Sequence, residues 1–519
     1  DKLAQPADTD LVHFISHEWL GFAHPDPEAT QLRRMQKVFR IIAEGHAKTL
    51  FEGADFEAFL KGVSSGTGKH VRWVEGRVTS RVEFAEEDVI GHITQGKVWL
   101  DYHSIPQDPR KTCFKDAVQS IPHYVERSDY FWVCAPRARH RDLHEVRDFS
   151  TWRGRGWCRF EEVINLLSKV LKMPLIVTNA SHVGTYGFLD AIQMYFGRPE
   201  RSVANGDFTC CRLNHVVKRS DGTTIPIPCD KATLGPILAL MYKSIFNHCS
   251  KEFSKFKQNM LKSAAFSIFA GFEEELEGLA VPRGLSVQAF LEETGFEDID
   301  SRDQIGFPPL LWACSFGDIE MAKELVRLRP ESPFMRSIHK MSVLIRSLPL
   351  PPDDFTTFMH LHDDLRTEAE LNHATNNGYT PVDRACKFGF HANLRTLLEM
   401  RASMSTRRKD NNATPLLSAA MEGYDKCCKV LIDFGVDVHA VDADNRTMLH
   451  LAAYPMTTLG NSVAGCRSEV LKLGLAAKVD PWAVDNRGRT PLQTAHEHNC
   501  LEIVHLLEAW LGLTVAVEV

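Results

Sequence analysis

One phrase recurs down the C-terminal half of the chain: a polar turn, a Thr-Pro pair or its relic, then an apolar stretch carrying Ala. It reads Asn377-Gly378-Tyr379-Thr380-Pro381, then Asn412-Ala413-Thr414-Pro415, then Asp444-Asn445-Arg446-Thr447-Met448, and last Asn486-Arg487-Gly488-Arg489-Thr490-Pro491. The four Thr lie 34, 33 and 43 residues apart. An earlier copy, Gly306-Phe307-Pro308-Pro309-Leu310-Leu311, places Pro308 72 residues before Thr380, and Ser342 of a decayed copy falls 34 residues after Pro308. A unit of this length cannot bury its apolar face alone, so the segment must stack as a solenoid with no single globular core.

Each copy carries the same local physics. Thr caps a helix, and Pro follows in the first turn, where its missing N–H costs nothing. Small Ala lets paired helices approach. A second amphipathic helix follows, as in Ile319–Val326 and Cys427–Ile432, and Gly435 and Asp437 turn the chain towards the next copy. The pattern resembles the ankyrin repeat, with about five to six copies, one degenerate, over residues 303–512. The segments Leu348–Asp354 and Tyr454–Ser468 depart from the period and are expected as loops. The resemblance implies an all-α solenoid whose concave face binds a protein partner; the plainer alternative is packing on the rest of the chain. His450 occupies a position that commonly hydrogen-bonds within the repeat.

A length of 519 residues predicts two to four domains. A hydrophobic fraction of 44% with 24% charged residues excludes general disorder. The net charge of −7 argues against broad capture of nucleic acid, and no nucleic-acid module is recognisable. Thirteen Cys without regular spacing read as reduced thiols, and no apolar run approaches the ~20 residues that span a bilayer. The expected location is cytoplasmic, although the chain does not begin with Met.

The N-terminal part alternates short apolar strands with helices: strands at Leu11–Ser16, Lys97–Leu100, Tyr130–Cys134 and Pro174–Val177, and helices at Gln31–Glu44, Phe114–Glu126 and Trp157–Leu171. This pattern predicts an α/β, flavodoxin-like, doubly wound parallel sheet over residues 10–180. Residues about 51–95 read as an insertion, with a hairpin at His70–Phe84. In such sheets ligands bind beyond the carboxyl ends of the strands, at the switch point. His17, Glu18 and Trp19 follow the first strand and Asp101 follows the second, so they belong on that rim.

Four segments resemble Toll/interleukin-1 receptor (TIR) domains: Val12–His17, Val98-Trp99-Leu100-Asp101 with Ser104-Ile105-Pro106, Ser128–Val133, and Trp157-Cys158-Arg159-Phe160-Glu161. The last is similar to the family's Trp-Cys-x-x-Glu motif. Many TIR domains hydrolyse NAD at the nicotinamide–ribose bond, and others are pure adaptors that self-associate. The resemblance therefore implies NAD as a substrate, no resident cofactor, and Glu161 as the catalytic carboxylate. Cleavage develops an oxocarbenium-like ribose, which a fixed carboxylate stabilises. Set against this, Glu161 or Glu162 could simply favour a helix N-terminus. A non-enzymatic scaffold is the alternative function.

Substrate-binding candidates are His17, Trp19, Asp101 and Trp157. Trp19 can stack on a base or nicotinamide, or cap a core edge. His17 can bind a ribose or phosphate oxygen, or be an ordinary rim histidine. Asp101 can orient a ligand hydroxyl, or form a turn. Seven Arg between 137 and 159 offer forks to a pyrophosphate or a phosphorylated partner, or lie in a solvated loop. Three motifs fail on spacing. Gly62–His70 lacks the Ser/Thr of a phosphate loop, and His17, His24, Asp26 and His103 match no zinc pattern. Cys210, Cys211, His215 and Cys229 lack CxxC spacing and read as buried thiols, so no metal is expected. Residues 181–300 read as a connector with a hairpin at Arg212–Pro228 and helices at Leu234–Lys257 and Gln258–Phe272.

Overall fold

Val12–His17 forms strand β1, and all six residues are buried. A strand covered on both faces belongs to the interior of a parallel sheet, and β1 has a parallel neighbour on each side. The computed structural model describes residues 11–513 except 23, 52–55, 57–58, 61–84, 105–111, 170–171, 187–190, 193, 219–222, 253–254, 277–278, 280–283, 455–465 and 499. The expected hairpin at His70–Phe84 and the Gly62–His70 segment lie outside the described residues. The chain divides into two units, Asp1–Ala280 and Val281–Val519.

In the first unit, β2 (Lys97–Leu100) and β3 (Tyr130–Cys134) flank β1 in parallel, with Ile15 opposite both Leu100 and Trp132. A short antiparallel pair follows, β4 (Ala138–Arg139) and β5 (Val146–Arg147). Then β6 (Pro174–Val177) pairs with β3 in parallel, and β7 (Val183–Gly184) closes the edge antiparallel to β6. The five-stranded order is β2-β1-β3-β6-β7, a mixed sheet with four parallel strands.

On one face Ile15, Trp132, Leu175 and Val177 form a core with Met35, Val38 and Ile42 of the Thr30–Ala43 helix and Val89 of the Glu86–Gln95 helix. On the other, Phe14 stacks on Trp99 at 4.3 Å and on Phe131 at 5.4 Å. The Ile121–Arg127 and Gly156–Leu166 helices pack on each other and on β1.

The one helix expected at Phe114–Glu126 is two, Thr112–Gln119 and Ile121–Arg127. Pro122 has no N–H to continue the first helix and sits instead in the first turn of the second. The helix expected to reach Leu171 ends at Leu166. Residues read as a connector supply a hairpin, β8 (Val216–Lys218) with β9 (Thr224–Pro226), and two long helices, Lys231–Glu252 and Lys255–Ile268. The Lys231–Glu252 helix packs on the Gly156–Leu166 helix. Gly156 permits a further contact: a Cβ there would meet the Phe208 ring at 2.0 Å.

The second unit holds six helix pairs among the described residues, each first helix following Pro308, Ser342, Thr380, Thr414, Thr447 or Thr490. The hydroxyls of Ser342, Thr380, Thr414 and Thr490 accept a backbone N–H three residues on, at 3.2–3.3 Å. The Ser342 copy is thus a working repeat. Leu348–Asp354, expected as a loop, instead leads into the second helix of that repeat, because Pro352 sits in the first turn of Pro352–Met359.

His450 Nδ1 accepts from the Thr447 hydroxyl at 2.9 Å, and Nε2–H donates to the Arg489 carbonyl of the next repeat at 2.9 Å. This tautomer follows from the Thr447 N–H also pointing at Nδ1. Asp442 and Asp485 tie their turns by accepting backbone N–H groups and pairing with Arg446 and Arg489.

Gly389 ends the Pro381–Phe388 helix at φ +79°, and a Cβ there would meet the Tyr424 ring at 2.5 Å. T414A should cost the C-terminal unit about 1 kcal/mol. G389A should cost more, because left-handed strain of roughly 1–2 kcal/mol adds to the ring clash. Denaturant unfolding of both variants checks the order.

Candidate active site

The loops after β1 and β2 and the start of the Gly156–Leu166 helix enclose a cavity of about 370 Å³. It lies beyond the carboxyl ends of the parallel strands, beside β1, where the strand order reverses. His17, Trp19, Asp101, Trp157 and Glu161, the five residues singled out from sequence, all line it.

Asp101 joins the loops. Its Oδ1 accepts from His17 Nε2 at 2.8 Å and its Oδ2 from Trp19 Nε1 at 2.8 Å. His17 Nδ1 donates to Gln31 Oε1 at 2.9 Å, and the Gln31 amide is oriented by donating to the Glu18 carbonyl at 2.8 Å. Both ring nitrogens thus face acceptors, the arrangement of an imidazolium. Burial opposes that charge, but the Asp101 carboxylate and the two hydrogen bonds outweigh it and lift His17 to about 9.

Glu161 is buried and takes a hydrogen bond from Ser16 Oγ at 2.5 Å. Trp152 Nε1 donates to the same hydroxyl at 3.0 Å. Indole can only donate, so the Ser16 proton is directed onto Glu161. Burial pushes Glu161 up to about 8; Ser16 and His17 favour its charge, and Asp101 opposes it. The helix-end explanation fails, since Glu161 lies beyond the first turn, where no acidic residue stands.

Trp157 Nε1 donates to Asp230 Oδ2 at 2.9 Å, which links the wall to the segment before the Lys231–Glu252 helix. Arg147, Arg155 and Arg212 line the same cavity. Arg155 pairs with Asp207 at 3.0 Å and donates to Thr209 Oγ1 at 2.8 Å, and Arg212 pairs with Asp207 at 2.6 Å. Glu18, buried, accepts from Thr151 Oγ1 at 2.5 Å and lies 3.4 Å from Arg147 Nε.

The reading of the Arg-rich stretch as a solvated loop is corrected for four members. Arg147 and Arg153 are buried, and Arg155 and Arg159 are half-buried against Asp207 and the carbonyls of Arg153, Glu200 and Ser202. Sequence reasoning missed Ser16, whose signal is a lone hydroxyl in an apolar strand. It also missed Gln31, Thr151, Arg212 and Asp230, which nothing local marks. His17 is committed to Gln31 and Asp101, and His24 Nδ1 accepts the Asp26 N–H at 3.0 Å.

Residues 416–454 match the family profile for ankyrin repeats (many copies). A rice protein (Oryza sativa subsp. japonica) described as "Probable E3 ubiquitin-protein ligase XBOS33" is 27% identical over 198 residues, 36% of this chain and 36% of that protein. The chain thus matches about a third of the length of that relative. The crystal structure of the ankyrin repeat domain of Bcl-3, a member of the IkappaB family, matches with 15% identity and a TM-score of 0.34, covering 44% of this chain and all of that one. Among the described residues, no helix is long and apolar enough to cross a membrane. The C-terminal unit carries ankyrin repeats, a protein-interaction module.

The raised Glu161 has a defined consequence for stability. Below the ordinary carboxylate range the folded and unfolded chains both hold this proton, and the group is neutral to stability. As pH rises towards 8 the unfolded chain ionises first, so the native state loses stability, and the loss levels off above 8. His17 contributes stability that is present below its ordinary value and lost as pH rises through 9, and because Glu161 is the smallest of the influences that raise it, most of this contribution persists in E161Q. E161Q should therefore gain in Tm over wild type between about pH 5 and pH 8.5. A Tm difference that stays flat over this range rejects the raised value.

Proposed function

We propose that the first unit is a TIR-like NAD hydrolase and that the ankyrin array recruits a protein which controls it. The observation that carries the reading is the convergence of Glu161, His17, Asp101 and two Trp around one cavity at the switch point of a sheet ordered β2-β1-β3-β6-β7. That order agrees with the flavodoxin-like arrangement up to its antiparallel edge.

The residues divide the work as follows. Arg147, Arg155 and Arg212 face the pyrophosphate, and guanidinium forks suit it. Trp19 or Trp157 stacks on the nicotinamide. His17, both of its N–H groups held by Asp101 and Gln31, lends positive charge to the side of the cavity that takes the ribose or phosphate oxygens. The cationic nicotinamide, an opposite charge nearby, favours the Glu161 carboxylate, and the Glu161 proton passes to solvent water. The glycosidic C–N bond breaks with its electron pair leaving on nicotinamide. The Glu161 carboxylate stabilises the cationic ribose, and water adds at the anomeric carbon and gives up a proton.

Release of nicotinamide from NAD by the full chain tests this. E161Q and E161A should lower turnover by about 10²-fold or more while the fold is retained. Wild-type activity should rise with pH as Glu161 ionises, and self-association predicts a specific activity that rises with protein concentration. Full turnover in both variants removes Glu161 from the mechanism. No turnover by wild type, even when clustered, favours the scaffold reading, in which the array's exposed loops carry the function.

A further inference from the structure

Cys210, His215 and Cys229 have no recognisable metal-ligand spacing, yet the fold draws them together. Cys210 lies in a short helix, Thr209–Arg212, and the chain turns back at once, with the His215 N–H donating to the Cys210 carbonyl at 2.8 Å. The β8–β9 hairpin then returns the chain, with the Ile227 N–H donating to the His215 carbonyl at 2.8 Å, so that Cys229 arrives beside both. One donor atom from each of the three lies within 4.8 Å of the others. His215 Nδ1 is buried and has no hydrogen-bond partner. Cys211 Sγ lies 3.9 Å from Cys210 Sγ.

We propose that Cys210, His215 and Cys229 bind a zinc ion, with Cys211 or solvent in the fourth position. Zinc bonds of about 2.3 Å to sulfur and 2.0–2.1 Å to nitrogen require donor separations of roughly 3.4–3.8 Å, about 1 Å of closure from the present limit. Two thiols and an imidazole select zinc over magnesium or calcium, which take oxygen. The ion accounts for the orphaned Nδ1, which then supplies its lone pair to the metal. It also has a mechanical role. Cys210 follows Thr209, which holds Arg155, and Cys229 precedes Asp230, which holds Trp157. One ion thus pins both hydrogen bonds of that cavity wall. The proposal does not depend on NAD chemistry.

Zinc content of the purified full chain after dialysis against a weak chelator tests it. Wild type and C314S, a control in the repeats, should hold close to one zinc per chain. C210S, C229S and H215Q should hold far less. Native mass spectrometry of wild type should lose one zinc mass on strong chelation, a readout independent of how the variants fold. Titration of the stripped protein with cobalt(II) should give thiolate-to-cobalt charge transfer. Retention of metal in C211S gives the fourth position to solvent, and loss gives it to the Cys211 thiolate; both support the site. A zinc-free wild type that develops no cobalt bands overturns it, as does a Cys210–Cys229 disulfide in protein alkylated before purification.

Discussion

Parallel pairing on both sides of β1 is the constraint on which the first unit depends. Because β2 and β3 run alongside β1 in the same direction, their carboxyl ends open on one rim. His17, Glu18, Trp19 and Asp101 reach that rim with no motif to gather them. Glu161 arrives from the Gly156–Leu166 helix, which packs on β1, and Ser16, one residue before the rim, meets it. A one-residue slip of β1 would turn Ser16 and His17 each to the face the other now occupies and separate both hydrogen bonds.

Strands were the legible part of the sequence. Lys97–Leu100, Tyr130–Cys134 and Pro174–Val177 stand as read; the last two are buried along their whole length and leave unbroken apolar runs, while the half-exposed edge strand Lys97–Leu100 was marked by Val98-Trp99-Leu100. The repeats were legible for a related reason: Thr and Pro act within one turn of themselves, so their effect is local. What hid was long-range partnership. Arg147 and Arg155 meet Glu18 across more than a hundred residues, and Trp157 meets Asp230 across 73. The Cys210–His215–Cys229 cluster hid similarly, because a hairpin rather than a short spacing closes it. The break before Pro122 was a local signal that the apolar periodicity of Phe114–Glu126 masked.

The two units follow different physics. The first concentrates buried ionisable groups around one cavity, and their charges are set by burial and by each other. The second repeats a local device. Each cap satisfies its own helix, and Asn445 and Asn486 side chains stitch neighbouring turns through the Val484 and Ala443 carbonyls at 2.7 and 3.0 Å. Stability in such a stack is a sum of neighbour contacts, so it tolerates the longer spacing after Tyr454.

Glu162, next to Glu161, gives the helix a second function. Adjacent residues project about 100° apart around a helix. While Glu161 lines the cavity, Glu162 takes the Tyr186 and Tyr195 hydroxyls and lies 3.7 Å from Arg153 on the buried side. The second carboxylate acts as a key in a slot. Rolling the helix to move Glu161 by a few ångströms would withdraw Glu162 from two phenols and a guanidinium at once. The cavity carboxyl is therefore held in azimuth by its neighbour.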